Sequence, residues 1–175
     1  TSMRVMIDPA FPPNERASAG DVLDDLGYQS EGLFHFMPIP GRSEQRSDIE
    51  PCTHLPYTYY LAKFPVTNLQ YERFLQKENF KDRSLWQGWP RYDENSQLMP
   101  GQDWGNKPWE WLQARLQEND NPLDRDILYP RYWHDPRFGI ARKCVPVVGV
   151  SWYEAMAYCN WLERNWNKLE EGQEN

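Results

Sequence analysis

The sequence predicts an α+β domain with long irregular connections, and three observations predict it. Aromatic residues are abundant, with 9 Trp, 10 Tyr and 7 Phe, although apolar residues make up only 39% of the chain. There are 15 prolines, a residue that is costly inside helices and central strands. Two Ser/Thr-x-x-Glu/Gln boxes each open an apolar run at helical spacing. A core of few, large rings follows, since each ring buries a large area while its polar edge can still find a partner. The length of 175 residues suits one domain, in which roughly two thirds of the unfolded surface becomes buried.

The elements follow in chain order. Residues 1–32 are polar and irregular and read as an N-terminal arm or linker, with a short helix over 21–26 (DVLDDL). The domain proper is 33–175. Residues 33–39 (LFHFMPI) form a strand stopped by Pro40-Gly41, and 57–64 (YTYYLAKF) form a second. The charged stretch 42–50 between them is a solvated loop. Thr67 and Gln70 make a capping box. The helix behind it places Tyr71, Phe74 and Leu75 on one face and runs to about Lys77. Residues 82–105 hold Trp86, Trp89, Tyr92 and Trp104 among Gly, Pro, Asn and Asp, a long loop pinned by aromatics without regular structure. Asn106 caps a helix with Pro108 in its first turn and Trp109, Leu112 and Leu116 as its stripe. Asn119-Asp120-Asn121-Pro122 ends it. Residues 145–150 (VPVVGV) form a short buried strand. Ser151 and Glu154 give the second capping box, and a helix follows over 152–168. Its apolar residues Trp152, Ala155, Cys159, Leu162 and Trp166, spaced 3, 4, 3 and 4, define one buried face. Residues 170–175 are a polar end.

Charge and composition restrict the function classes. The net charge of −7 speaks against nucleic acid and against anionic membrane surfaces. No apolar run reaches the 18 or so residues of a membrane span, and residues 1–11 lack the charged and apolar regions of a signal peptide. The three cysteines, Cys52, Cys144 and Cys159, match no zinc spacing and read as reduced thiols of a cytoplasmic protein. A Cys144–Cys159 bridge stays open, because bridging depends on geometry. Cys159 reads as a small core residue and Cys144 as an inert thiol, although Arg142 and Lys143 beside it would lower its pKa. His35, His54 and His134 are scattered. Asp120, Asp124 and Asp126 lack the Gly turn and terminal Glu of a calcium loop and read as solvated surface. Neither a phosphate loop nor a Ser-His-Asp order is present. No catalytic, cofactor-binding or metal-ligating residue is assigned. Exposed positions around Trp86, Trp89, Tyr92 and Trp104 are the candidate ligand surface.

Two blocks carry a resemblance. Pro65-Val66-Thr67-Asn68-Leu69-Gln70-Tyr71, with Phe74, resembles the PVTN-x-x-Y-x-x-F signature of the formylglycine-generating-enzyme (sulfatase-modifying-factor) family. Residues 145–162, with Gly149, Ser151, Trp152, Glu154, Ala155, Tyr158, Cys159 and Trp161, resemble its PV-x-GVSW-x-x-A-x-AYC-x-WL block. Residues 132–138 (YWHDPRF) are similar to the segment that precedes this block in bacterial members. The likeness spans about 33–162 and implies a C-type-lectin-like fold, with two main helices against a small antiparallel sheet.

It also implies what this chain lacks. The family's RLPTEAEWE-like segment, the copper-binding cysteine pair of its oxidases and its calcium sites belong to a C-terminal part that the chain does not contain. That part is the expected partner of this half, and any calcium or copper belongs to it. Two functions follow from the resemblance. One is a non-catalytic binding module for a protein or small-molecule ligand, as in retroelement-diversified variable proteins and sensor modules. The other is a copper-dependent oxidase that converts a sulfatase cysteine to formylglycine.

Overall fold

A computed structural model describes residues 2–28, 35–93, 97–117 and 128–169 except for 41–57; of Tyr92 it describes the backbone alone. The expected elements at 42–50, 119–122 and 170–175 lie outside the described residues, as do Cys52, His54, Asp120, Asp124 and Asp126.

The chain opens with two helices, α1 (Ser2–Ile7) and α2 (Pro13–Asp25), which pack on each other. The arm is therefore not irregular, and the helix predicted over 21–26 is only the end of α2. Pro13 sits at the first helical position, where its missing N–H costs nothing. Only Ala19 of α2 is buried, so the helix lacks the apolar stripe that would have revealed it. The Arg16 side chain donates to the Met6 carbonyl and ties the pair together. The pair is fastened to the rest by an Asp21–Arg142 ion pair and by Asp24, which accepts the Cys144 amide at 2.7 Å.

Strands β1 (Phe36–Ile39) and β2 (Tyr59–Ala62) form an antiparallel ribbon in which Phe36 faces Ala62 and Ile39 faces Tyr59. Helix α3 (Asn68–Glu72) follows its capping box: the Gln70 amide donates to the Thr67 hydroxyl, and the Thr67 amide donates to Oε1 of Gln70 at 2.8 Å. The helix does not continue to Lys77. Hydrogen bonds tighten to three-residue spacing at Phe74 and Leu75, Gln76 is extended, and α4 (Lys77–Lys81) starts anew. Phe74 and Leu75 both reach the core from this turn.

A 3₁₀ turn over Arg83–Leu85 leads to a second ribbon, β3 (Pro90–Tyr92) with β4 (Leu98–Asp103). The aromatic loop is thus partly regular. Pro90, Pro100 and Gly101 argue against strands in a sheet interior, yet a two-stranded ribbon is all edge and tolerates them. Helix α5 (Lys107–Gln117) buries Leu112 and Leu116, as its spacing predicts, but Pro108 takes the buried place expected for Trp109, which is half-buried. Residues 145–150 do not form a strand. One bridge joins Thr67 to Pro146, Val147 donates to the Val66 carbonyl, and Gly149 then takes φ +82°. Pro146 has no N–H to extend a ladder, and the left-handed Gly149 ends the extended run.

Helix α6 (Trp152–Asn165) and a 3₁₀ turn (Trp166–Lys168) complete the order. The core gathers Tyr71, Phe74, Phe80, Trp86, Trp89, Leu112, Ala157, Tyr158 and Trp161. Phe74, entirely buried, has ring centroids of Phe80, Tyr158, Trp161 and Trp86 within 5.3–6.3 Å.

The inward face of α6 is Glu154, Ala157, Tyr158 and Trp161, not the predicted stripe. Cys159 is exposed and Trp152 is 49% exposed. One residue is a rotation of about 100°, and the real face is turned by that step from the apolar count. Two amphipathic residues, Tyr158 and a paired Glu154, occupy inward positions that an apolar count passes over.

Candidate functional site

The second capping box lines an open cleft, and one buried amide behind it pins the segment that forms the opposite wall. At the start of α6, the Glu154 amide donates to Oγ of Ser151 at 3.2 Å, and the Ser151 amide donates to the Glu154 carboxylate at 2.7 Å. The same carboxylate, buried, accepts Nη1 of Arg115 at 2.8 Å, which links α6 to α5. Arg115 reaches on to the Tyr129 carbonyl and lies over the Trp111 ring. Burial first, and then the nearby Glu154 charge, hold the Tyr71 phenol neutral, with its pKa well above the usual value.

Asn68 explains the fourth letter of PVTN. It is 1% exposed, and its amide nitrogen lies 2.8, 2.9 and 2.9 Å from the carbonyls of Phe138, Gly139 and Arg142. One side chain thus pins the turn-rich segment 131–143 to α3. Gly139 permits the tight fold of that segment, for a Cβ there would meet the Trp133 carbonyl oxygen at 2.0 Å. Gly149 lies against Tyr132 and Arg131 and accepts the Arg131 amide at 3.0 Å.

The cleft of about 780 Å³ lies between the 129–135 stretch and residues 149–154. Arg115 and Glu154 form its neutralised floor, with Arg131, Tyr132, His134 and Asp135 on the other side. Arg131 sits 5.5 Å from the Tyr132 ring centroid. Tyr129 stacks on Trp133 and meets His134 edge-on. Asp135 is held below the usual carboxylate pKa by its side-chain and backbone hydrogen bonds with Arg137.

The predicted ligand surface does not hold together. Trp86 and Trp89 are 0% and 2% exposed and belong to the core. Trp86 donates to the Asn79 carbonyl. Trp104 is half-buried, 4.8 Å from Trp152, with Arg91 over its ring. The residues that do present polar and aromatic groups, Arg131, Tyr132 and His134, lie in and just before the YWHDPRF stretch, whose turns no periodicity reveals. The thiols depart from expectation in two respects: Cys159 is exposed, and the basic neighbours of Cys144 do not leave its pKa lowered. Cys144 titrates at about 11, pushed up by burial and then by Asp24, and it donates to the Tyr28 carbonyl; Lys143 lowers it only slightly. Cys144 and Cys159 are both free.

The copper and calcium of the resembling family can be tested against the donors present. Among the described residues, no three of His, Cys, Asp and Glu gather as a metal set. Cys159, the thiol inside the second signature block, is exposed, and Cys144, just before that block, is half-buried.

An α+β arrangement with two capped helices, small antiparallel ribbons and long loops defines the C-type-lectin-like class of the sulfatase-modifying factors. The family model described as the sulfatase-modifying factor enzyme 1-like domain matches residues 39–171, and the chain belongs to that family. Helices α1 and α2 lie outside the matched stretch. No match occurs among curated proteins or among solved structures.

Proposed function

We propose that the chain is the scaffold half of a non-catalytic ligand-binding domain of this family, acting in the cytoplasm. One observation carries the reading. The signature residues Thr67, Asn68, Gln70, Tyr71, Phe74, Ser151, Glu154, Tyr158 and Trp161 are spent on capping, pinning and packing, while the cleft they support exposes Arg131, Tyr132 and His134. Rigid elements that position a polar and aromatic loop surface suit recognition. The C-terminal part of the same domain is the proposed partner. Exposed apolar side chains support this: Phe36, Met37, Tyr60 and Leu61 on the β1–β2 ribbon, and Trp152 on α6, are each at least 37% exposed. Calcium or copper, where the whole protein uses either, resides in that partner part. Among the described residues, no helix is long and apolar enough to cross a membrane. Retroelement-diversified variable proteins and sensor modules are the proposed functional relatives.

The test runs two assays on the full native chain. Glycan and peptide arrays are screened for binding, and a sulfatase-derived cysteine peptide is incubated with copper(I) and read by mass for formylglycine. Binding that is lost in Tyr132→Ala at unchanged melting temperature is expected. Turnover of the cysteine peptide would overturn the reading in favour of the oxidase.

A further inference from the structure

The segment 131–143 differs in charge from the rest of the chain. It holds four of the 19 basic residues and one of the 26 acidic residues of a chain with net charge −7. Its basic groups are interleaved with rings in a continuous row. Arg131 lies 5.5 Å from the Tyr132 centroid, Tyr132 meets Phe138 edge-on at 6.4 Å, and Arg137 lies 4.9 Å from the Phe138 centroid. Tyr132 and Phe138 are 41% and 42% exposed, and both arginines are exposed. Arg137 is shared with Asp135 at 3.0 Å. Arg131 has no carboxylate partner among the described residues.

The row is preorganised. The Arg131 amide is held by the Gly149 carbonyl, Ile140 donates to Trp133, and Asn68 holds the carbonyls of Phe138 and Gly139. A surface already fixed in its bound shape loses little freedom on binding. Exposed Arg and Tyr on a rigid base are the residue types enriched at the centres of protein interfaces.

We propose that the row Arg131–Tyr132–Phe138–Arg137 docks an acidic peptide segment of a partner protein. This deepens the binding-module reading and rests on it. A carboxylate of the segment pairs with Arg131 at the mouth of the cleft, and an apolar side chain beside it lies across Tyr132 and Phe138. Charge complementarity selects the segment, because the basic row is set in an otherwise acidic protein. The same acidity disfavours nucleic acid: a polyanion longer than the row would run onto like charge.

The experiment uses fluorescence anisotropy on the full native chain. The probes are a labelled peptide of Glu and Asp with Leu and Phe, its Gln/Asn counterpart, and an oligothymidylate. The acidic peptide is expected to bind, to weaken as salt rises, and to lose about tenfold in affinity in Arg131→Ala. The melting temperature should stay unchanged, since Arg131 is exposed. Arg131→Lys should recover part of the loss. Equal binding of the Gln/Asn peptide, binding of the oligothymidylate through Arg131, or no peptide binding at all would overturn the proposal. An array ligand that still binds Arg131→Ala would overturn the acidic segment while sparing the module. Formylglycine formation would instead overturn the module itself.

Discussion

Asn68 is a buried amide that satisfies the carbonyls of a segment distant in sequence. Its nitrogen carries two hydrogens for three carbonyl contacts of 2.8–2.9 Å, so the donors are shared. The Gly139 carbonyl also accepts the Arg142 amide, and the Arg142 carbonyl accepts the Val145 amide at 3.4 Å. The Phe138 carbonyl is thus the most dependent on Asn68. Asn68→Ala removes two donors, each worth about 1 kcal/mol net, and leaves a poorly satisfied acceptor costing about 1–3 kcal/mol more. The expected loss is about 3–5 kcal/mol, or roughly 6–20 °C of melting temperature for a chain of this size. Asn68→Asp should be worse than the alanine variant, because a carboxylate would place negative charge against three carbonyl oxygens. Urea denaturation of the full native chain, with both variants run beside the wild type, measures the order. An aspartate variant as stable as the wild type would refute the donor assignment, and with it the account of why Asn stands in the signature.

The other predictions follow from the same geometry. Ser151→Ala should lower stability by about 0.5–2 kcal/mol through the lost cap, read by thermal melting, with the ligand preference unchanged. Trp152→Ala should lower it by only about 1–2 kcal/mol, well short of a core cavity, because half of the ring already lies in solvent; its melting temperature should fall no further than that of Trp161→Ala. Cys144 should react with iodoacetamide at pH 8 about 100-fold more slowly than an ordinary thiol, as peptide mapping by mass would show. Its raised pKa favours the fold below pH 9, and that contribution is lost as pH rises from about 9 through about 11. The 175-residue chain alone should bind a hydrophobic dye and melt without a cooperative transition, because its ribbons and α6 expose apolar side chains. A sharp transition would count against the need for a covering part.

The signals that could be read in sequence were local ones. Both capping boxes span four residues and depend on side chains that bond their own neighbours, so spacing alone found them. Helices α5 and α6 were legible for the same reason. The face of α6 was not, because Glu154 becomes an inward residue only once Arg115 arrives from α5. Nor was the break after Glu72, where the hydrogen bonds tighten to three-residue spacing and Gln76 turns extended with no Gly or Pro to mark it. Trp86 and Trp89 looked like a surface because their loop is polar, but the core of this fold is filled from loops as well as from helices. The cleft itself depends on the 129–143 turns, and those are fixed by Asn68 and Gly139, one a distant contact and the other an absence of a side chain.

The distance spanned by Asn68 also has a kinetic consequence. It binds Arg142 across 74 residues, and Arg164 reaches Ser84 across 80. Closing a loop of that length costs roughly 4 kcal/mol in chain entropy by the (3/2)RT ln n form. The capped helices can form within their own sequence, but the pinned turn and the cleft wall must wait for these closures. Folding should therefore be slow relative to helical bundles of similar size. In the interval the aromatic surface stays uncovered, which is when such a chain is most exposed to aggregation and to chaperone capture.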